Sequence, residues 1–262
     1  MARKALKNVI KLIEQANTDV PVEQQFLSDL KRSIELTDEK NARKPSMTYK
    51  PSSMCCIRAM YYGVTGQDVK AESNYVMVGI CESGTDRHER IQNAVAGMQA
   101  NGMDCTYVDV AEYVKSRGLD YLEIVDKCGN ETKLYDRERN ISFLCDGIIK
   151  YKGKYYIVEF KTESSYKWQN RKGVDPKHYN QAITYSLELK LDDVIFVYIN
   201  RDIVDMKSYM YHVTEREKSA ILRLLDVCNE YVFKHEVPPI PDDADSRKCA
   251  YCGYKEICNK DK

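Results

Sequence analysis

Apolar positions in the first 45 residues repeat at helical spacing. Leu6, Val9, Ile10, Leu12 and Ile13 share one face, and Phe26, Leu27, Leu30, Ile34 and Leu36 share another after a break at Asp19-Val20-Pro21. Residues 45–53 carry two prolines and read as a linker. Ser52 or Ser53 is placed to cap a short helix through Tyr61 and Tyr62. A longer helix is predicted over 75–98, with Val76, Val78, Ile80, His88, Ile91, Val95 and Met98, and another over 108–115, closed by Gly118.

The period then changes from helical to alternating. Residues 121–125 read as a strand and 128–130 as a turn. Residues 141–151 and 154–161 read as two strands joined at Lys152-Gly153. A helix over 177–190, a buried strand over 194–199, a neighbouring strand over 208–213 and a long helix over 214–235 follow. After Pro238-Pro239-Ile240-Pro241 comes a cysteine-bearing tail. Helices, then strands with a helix between them, then a helix again suit an α/β core with helical additions.

Composition narrows this picture. The 262 residues make one large domain or two small ones, and 43% apolar with 31% charged residues is a globular balance. No run approaches the ~18 uncharged apolar residues of a membrane span. The first residues scatter their charges and hold no secretory core, so a cytoplasmic protein is expected. Forty basic and forty acidic side chains cancel, so any polyanion must be held by local patches. Ten cysteines without an export signal point to metal, a cluster or buried thiols before a disulfide framework.

Asp146 lies on one predicted strand, and Glu159 and Lys161 lie two apart on the next. Side chains two apart on a strand share a face, so Glu159 and Lys161 point the same way and Phe160 the other. Carboxylates on adjacent strands can hold a hard divalent cation, and a lysine beside them can position a water for phosphodiester hydrolysis. Tyr156, Ile157, Val158 and Phe160 mark this strand as half-buried, where a carboxylate and a lysine need partners.

These residues resemble the PD-(D/E)XK nuclease motif, with Asp146-Gly147 where the family has Pro-Asp, followed by Glu159-Phe160-Lys161. The RecB-like branch adds an upstream helical histidine, matched here by His88 in Gly84-Thr-Asp-Arg-His88-Glu-Arg-Ile91. It also adds Gln-x-x-x-Tyr on the helix after the motif, matched by Gln181 and Tyr185. The resemblance implies that His88, Asp146, Glu159 and the Phe160 carbonyl ligate Mg²⁺ or Mn²⁺. It makes Lys161 the catalytic lysine and has Gln181 and Tyr185 help hold the DNA and the site.

The tail Cys249-x2-Cys252-x5-Cys258 reads as a metal-binding knuckle with three thiolates, and structural sites want four. Cys56-Ile-Arg58-Ala-Met-Tyr61 resembles the Cys-Pro-Arg-x-x-Tyr segment of iron–sulfur RecB-like nucleases, with Ile57 in place of the proline. That resemblance, to Cas-four-like and AddB-like nucleases, implies a [4Fe–4S] cluster on Cys56, Cys249, Cys252 and Cys258, with Cys55 as the substitute for Cys56. Zinc competes, but zinc ribbons usually show two CxxC pairs and this chain has one.

Residues 164–178 read as a basic, aromatic loop leaving the catalytic strand. Lys167, Trp168, Arg171 and Lys172 are its candidates for DNA contact, with Arg58, Arg87 and Arg90 secondary. The reading is an α/β, restriction-endonuclease-like mixed sheet flanked by helices. A helical N-terminal extension spans 1–45, and a RecB-like domain spans 46–262, its iron–sulfur cap formed by its two ends. The implied activity is metal-dependent DNA exonucleolysis, single-strand and 5′→3′, in recombination, repair or replication. No G-x-x-x-x-G-K-[ST] occurs, so unwinding would fall to a helicase or recombination partner. The competing readings are a catalytically silent DNA-binding or assembly module and a zinc-stabilised interaction protein.

Overall fold

A computed structural model describes residues 20–41, 45–67, 74–128, 130–241, 249 and 252–261. The helical face built on Leu6 to Ile13, and Gly129 of the expected turn, lie outside the described residues. The chain divides into two compact units, residues 1–43 with 71–82 and residues 44–70 with 83–262.

The first unit holds α1 (Val22–Lys40). None of the α1 side chains is buried, and Phe26 is 67% exposed. The Tyr75 N–H donates to Glu35 Oε1 (3.3 Å), and the Lys31 ammonium lies 4.8 Å from the centre of the Tyr75 ring.

In the second unit a 3₁₀ turn, Pro51–Ser53, precedes α2 (Ile57–Val64). The expected serine caps are not used: Cys56, in extended conformation, occupies the N-cap of α2. Helix α3 (Tyr75–Ala96) supplies its second half to this unit. The helix expected over 108–115 divides into β1 (Cys105–Val108) and α4 (Val110–Ser116). Between them the Asp109 carboxylate accepts the N–H groups of Ala111 (2.9 Å) and Glu112 (3.1 Å), so the helix starts after it.

Strands β2 (Leu122–Cys128), β3 (Glu131–Asp136) and β4 (Ile141–Cys145) form an antiparallel three-stranded sheet. Strands β5 (Gly147–Tyr151), β6 (Lys154–Glu163), β7 (Asp193–Asn200) and β8 (Met206–His212) join β1 in a five-stranded sheet of order β1-β5-β6-β7-β8. Its one parallel pair is β6 with β7, and the chain between them forms α5 (Ser165–Asn170) and α6 (Tyr179–Leu189). Helix α7 (Glu215–Lys234) follows β8, and α8 (Lys255–Lys260) ends the described chain.

The predicted β5–β6 hairpin is present. Lys152 (φ 48°) and Gly153 (φ 81°) both take the positive φ that a two-residue type I′ turn demands.

The expected single strand over 141–151 is two strands in two sheets. Cys145 pairs with Thr132 in one sheet, while Gly147 pairs with Val158 in the other. Asp146 is the residue between, so a sheet junction aims its carboxylate.

Alternate residues of β6 face two cores. Ile157 packs with Phe196, Ala182, Leu189, Ile221 and Leu225, under α6 and α7. Val158 and Phe160 pack with Ile149, Ile199 and Ile91, under α3. The result is the expected α/β class, a mixed sheet flanked by helices. Among the described residues no helix is long and apolar enough to cross a membrane.

Candidate active site

Three elements converge on Asp146. Its Oδ2 accepts the Phe160 backbone N–H at 2.8 Å and lies 3.8 Å from His88 Nδ1 on α3. Its carbonyl oxygen accepts from Gln92 Nε2 (3.1 Å) and from the Tyr107 hydroxyl (2.9 Å). The side chain is buried, with 7% residue exposure. Glycine follows because of Tyr107: a Cβ on Gly147 would stand 2.7 Å from the tyrosine ring.

Glu131, at the start of β3, completes the group. One ligand atom from each of His88, Glu131 and Asp146 falls within 4.8 Å of the others, a spacing that can hold a metal ion. The sequence reading did not select Glu131. It follows a turn in a strand of mixed polarity, and only the pairing of β3 with β4 carries it beside Asp146. Gln92 Nε2 also approaches Glu131 Oε1 at 3.4 Å.

Glu159 points from β6 towards α6. Its Oε1 accepts from Lys161 Nζ (2.6 Å) and Gln181 Nε2 (2.7 Å). Lys161 Nζ also donates to Gln181 Oε1 (3.0 Å). Gln181 Nε2 donates to the Tyr185 hydroxyl (2.9 Å), which donates to the Leu144 carbonyl (2.5 Å). The expected Gln-x-x-x-Tyr pair therefore positions the Glu159–Lys161 pair and ties α6 to the β4 end beside Asp146. The second Glu159 oxygen, Oε2, is buried and accepts nothing from described residues. Buried carboxylate oxygens are normally satisfied, so this orphan marks a place for a cation or its water.

The electrostatics agree. Burial pushes the Asp146 carboxyl up, against the pull of Lys161 and the Phe160 N–H. Burial also raises Glu159, followed by repulsion from Asp146, and Lys161 opposes both. His88 is lowered, first by burial, with Lys161 acting the same way and Glu159 and Glu131 opposing, so the imidazole is neutral and fit to ligate. Two carboxyls that resist ionisation beside a neutral histidine are the groups a divalent cation would stabilise.

Of the expected metal set, the structure brings His88 and Asp146 together and adds Glu131. Glu159 is turned towards Lys161, and Phe160 serves Asp146 through its N–H.

The expected basic loop is instead the helix α5 with an extended segment behind it. Lys167 and Lys172 are exposed. Trp168 is partly buried, with the Lys207 ammonium 4.0 Å from its ring centre. Arg171 is not an available DNA cation. Its Nε and Nη2 donate to the two oxygens of Glu163 at 2.7 and 2.6 Å, and its guanidinium lies 3.9 Å from the centre of the Tyr198 ring.

The first helix of the second unit meets the last described residues. Arg58 Nη1 donates to the Cys258 carbonyl and approaches its Sγ (both 3.1 Å), and Nη2 donates to the Asp261 carbonyl (2.8 Å). The Tyr62 hydroxyl donates to Asp261 Oδ2 at 2.7 Å. Burial raises the Cys252 thiol, and Cys56, Cys249 and Cys258 add to the rise, so these four thiols are electrostatic neighbours. Among the described residues no three of them close to the single-ion spacing that His88, Glu131 and Asp146 reach.

The fold and site thus define a mixed α/β protein with a histidine–carboxylate centre beside a lysine. No protein-family model and no curated protein matches the chain. Among solved structures, SSO0001 aligns with a TM-score of 0.50 at 17% identity, covering 88% of this chain and 96% of its own. At that identity the likeness establishes a shared fold. LHK-Exo in complex with dAMP aligns at TM-score 0.42 and 9% identity, covering 72% of this chain and 89% of its own. A further structure of LHK-Exo, an alkaline exonuclease from Laribacter hongkongensis, aligns at 0.33 and 13%, covering 73% and 94%.

Proposed function

We propose that this chain is a metal-dependent deoxyribonuclease, an exonuclease acting on single-stranded DNA from the 5′ end in recombination, repair or replication in the cytoplasm. The observation that carries the reading is the His88–Glu131–Asp146 group, with Glu159, an electrostatic neighbour of Asp146 and His88, paired to Lys161 through Oε1 and left with a buried, unsatisfied Oε2. A bound Mg²⁺ or Mn²⁺ would supply Lewis acidity and a water deprotonated near neutral pH. His88, Asp146 and Glu131 or Glu159 are the groups to hold it. Lys161 is placed to offset charge growing on the phosphoryl oxygens, and Gln181 keeps that ammonium aimed. Tyr185 fixes Gln181.

Residues 46–262 would form the nuclease domain and 1–45 an extension that meets a partner such as a helicase. The Cys56-Ile-Arg58-Ala-Met-Tyr61 segment and the Cys249-x2-Cys252-x5-Cys258 tail are the basis for proposing a [4Fe–4S] cluster on Cys56, Cys249, Cys252 and Cys258.

The test is degradation of end-labelled single-stranded DNA with Mn²⁺ by anaerobically purified protein, with iron and sulfide analysis of the same sample. Cleavage that EDTA abolishes, and that Lys161→Ala lowers at least about 100-fold, is expected. Cleavage unchanged in Lys161→Ala or in EDTA overturns the reading.

A further inference from the structure

A cavity of about 170 Å³ opens beside Lys161, at the end of β6 that leads into α5. It is apart from the His88–Glu131–Asp146 group. Lys161, Lys167, Lys177 and Arg201 bring four cationic side chains to its wall.

Lys161 is already paired with Glu159 at 2.6 Å, but the acids near Lys167, Lys177 and Arg201 are largely committed elsewhere. Glu163, the one acid of the lining, gives both oxygens to Arg171. Asp202, beside Arg201 in sequence, accepts the Ser165 N–H (2.9 Å) and hydroxyl (2.6 Å). Asp175 meets Lys177 only at 3.9 Å and is shared with Arg171 at 3.3 Å. Lys167 and Arg201 form no ion pair with described residues. His178, also in the wall, is held far below the ordinary histidine range, at about 3, by burial and then by Lys161 and Lys177, so it is neutral. Its Nδ1 lies 2.9 Å from the Tyr198 hydroxyl. The Lys177 ammonium is lowered by lost hydration first and by Lys167, Arg171 and Lys161 next, with Asp175 opposing. Lys167, Lys177 and Arg201, drawn to one space with no close carboxylate partner among the described residues, are like charges whose crowding an external anion would relieve.

The volume admits a small anion. At about 170 Å³ the opening has room for a phosphate group. The position selects its origin. Lys161 belongs to both the cavity and the Glu159 pair, so a strand bound at the metal centre would bring a neighbouring phosphate towards this opening.

We infer that the cavity lined by Lys167, Lys177 and Arg201 is a phosphate subsite that holds the nucleic-acid phosphate next to the one cleaved. The inference rests on the nuclease reading for the identity of the strand, but its binding test does not require cleavage. The phosphate is either an internal diester or a terminal monoester, and the two share one chemistry.

The experiment is fluorescence-anisotropy titration of labelled oligothymidylate onto the full chain in EDTA, over a range of salt. Wild type is compared with Lys177→Gln/Arg201→Gln and with Lys115→Gln, a lysine on α4 and outside the cavity lining. The double variant is expected to bind about tenfold more weakly at low salt. Its slope of log affinity against log salt is expected to shrink by about 0.7, the share of one phosphate on a single strand. Lys115→Gln is expected to change neither. Oligonucleotides with 5′-phosphate, 3′-phosphate or hydroxyl ends separate the sources. A gain from one phosphorylated end, lost in the double variant, identifies a terminal monoester, and no end effect identifies an internal diester. Unchanged affinity and slope in the double variant overturn the subsite. Pocket-dependent binding without cleavage by the wild type keeps the subsite and removes the enzymatic reading.

Discussion

Asp146 depends on a neighbour with no side chain. The Tyr107 hydroxyl reaches both the Asp146 and the Asn130 carbonyls (2.9 and 2.8 Å), so its ring cannot swing aside without losing them. Gly147→Ala would press a methyl against that ring, and the expected cost is about 1–3 kcal/mol. In a double-mutant cycle with Tyr107→Ala, urea denaturation should show strong non-additivity, because the clash exists only when both side chains are present. Additive effects would mean that the glycine serves something else. A second buried acid stands outside the site. Among the described residues both Glu188 oxygens are buried without a hydrogen-bond partner, and Arg139 Nη1 comes only to 4.0 Å. Burial, then Asp136, pushes this carboxyl up to about 8. The folded state therefore holds a proton that the unfolded chain releases near pH 4.5. The stability this contributes is complete below that pH and is lost as pH rises towards 8. Glu188→Gln keeps the neutral shape and removes the loss. Thermal melts between pH 5 and 9 should show the variant overtaking wild type as pH rises, by up to ~4 kcal/mol. Parallel pH profiles would refute the assignment.

Elements whose period was clean could be read directly. The β6 strand, α6 and α7 stand where the alternation and the 3.6-residue repeat put them, and with them Glu159, Lys161, Gln181 and Tyr185. The junction at Asp146 was hidden because apolar residues continue on both sides of it, from Phe143 to Ile149, and continuity reads as one strand. Only the pairing of Cys145 with Thr132 and of Gly147 with Val158 separates the two sheets. Glu131 was hidden for a related reason, since its strand makes sense only beside β4. The α5 segment read as a loop because its polar composition carries no helical stripe, and its order comes from contacts such as Lys207 on Trp168. The cap that starts the long helix was not singled out in the sequence, although Thr214-x-x-Glu217 is its local signature. Thr214 caps α7 through a reciprocal box with Glu217. Thr214→Ala should cost about 1 kcal/mol in chemical denaturation and leave any DNA cleavage unchanged, because the cap touches none of the site residues. A selective loss of cleavage would refute that separation.

Two ties close the long loop between the start and the end of the second unit, and they should compete. The visible one is Arg58 on the Cys258 and Asp261 carbonyls, reinforced by Tyr62 on Asp261, across about 200 residues of chain. The proposed one is the cluster on Cys56, Cys249, Cys252 and Cys258. A cluster that survived unfolding would restrict the unfolded chain by about 5 kcal/mol, whereas the Arg58 and Tyr62 hydrogen bonds act only in the folded state, and with the ends already held by a cluster they would no longer decide whether the tail stays docked. Arg58→Ala should therefore cost more in the iron-free chain than in the loaded one. Arg58 is 3% exposed and satisfies two carbonyls, so its loss from the iron-free chain should cost about 2 kcal/mol and lower Tm by about 4–8 °C. In iron-loaded protein, followed by its visible absorbance, the same substitution should lower Tm by less than half as much. Arg58→Lys should behave like Arg58→Ala in the iron-free chain, because one ammonium cannot span both carbonyls as the guanidinium fork does. Equal losses with and without iron would mean that the cysteines do not join the ends, and that Arg58 and Tyr62 hold them alone.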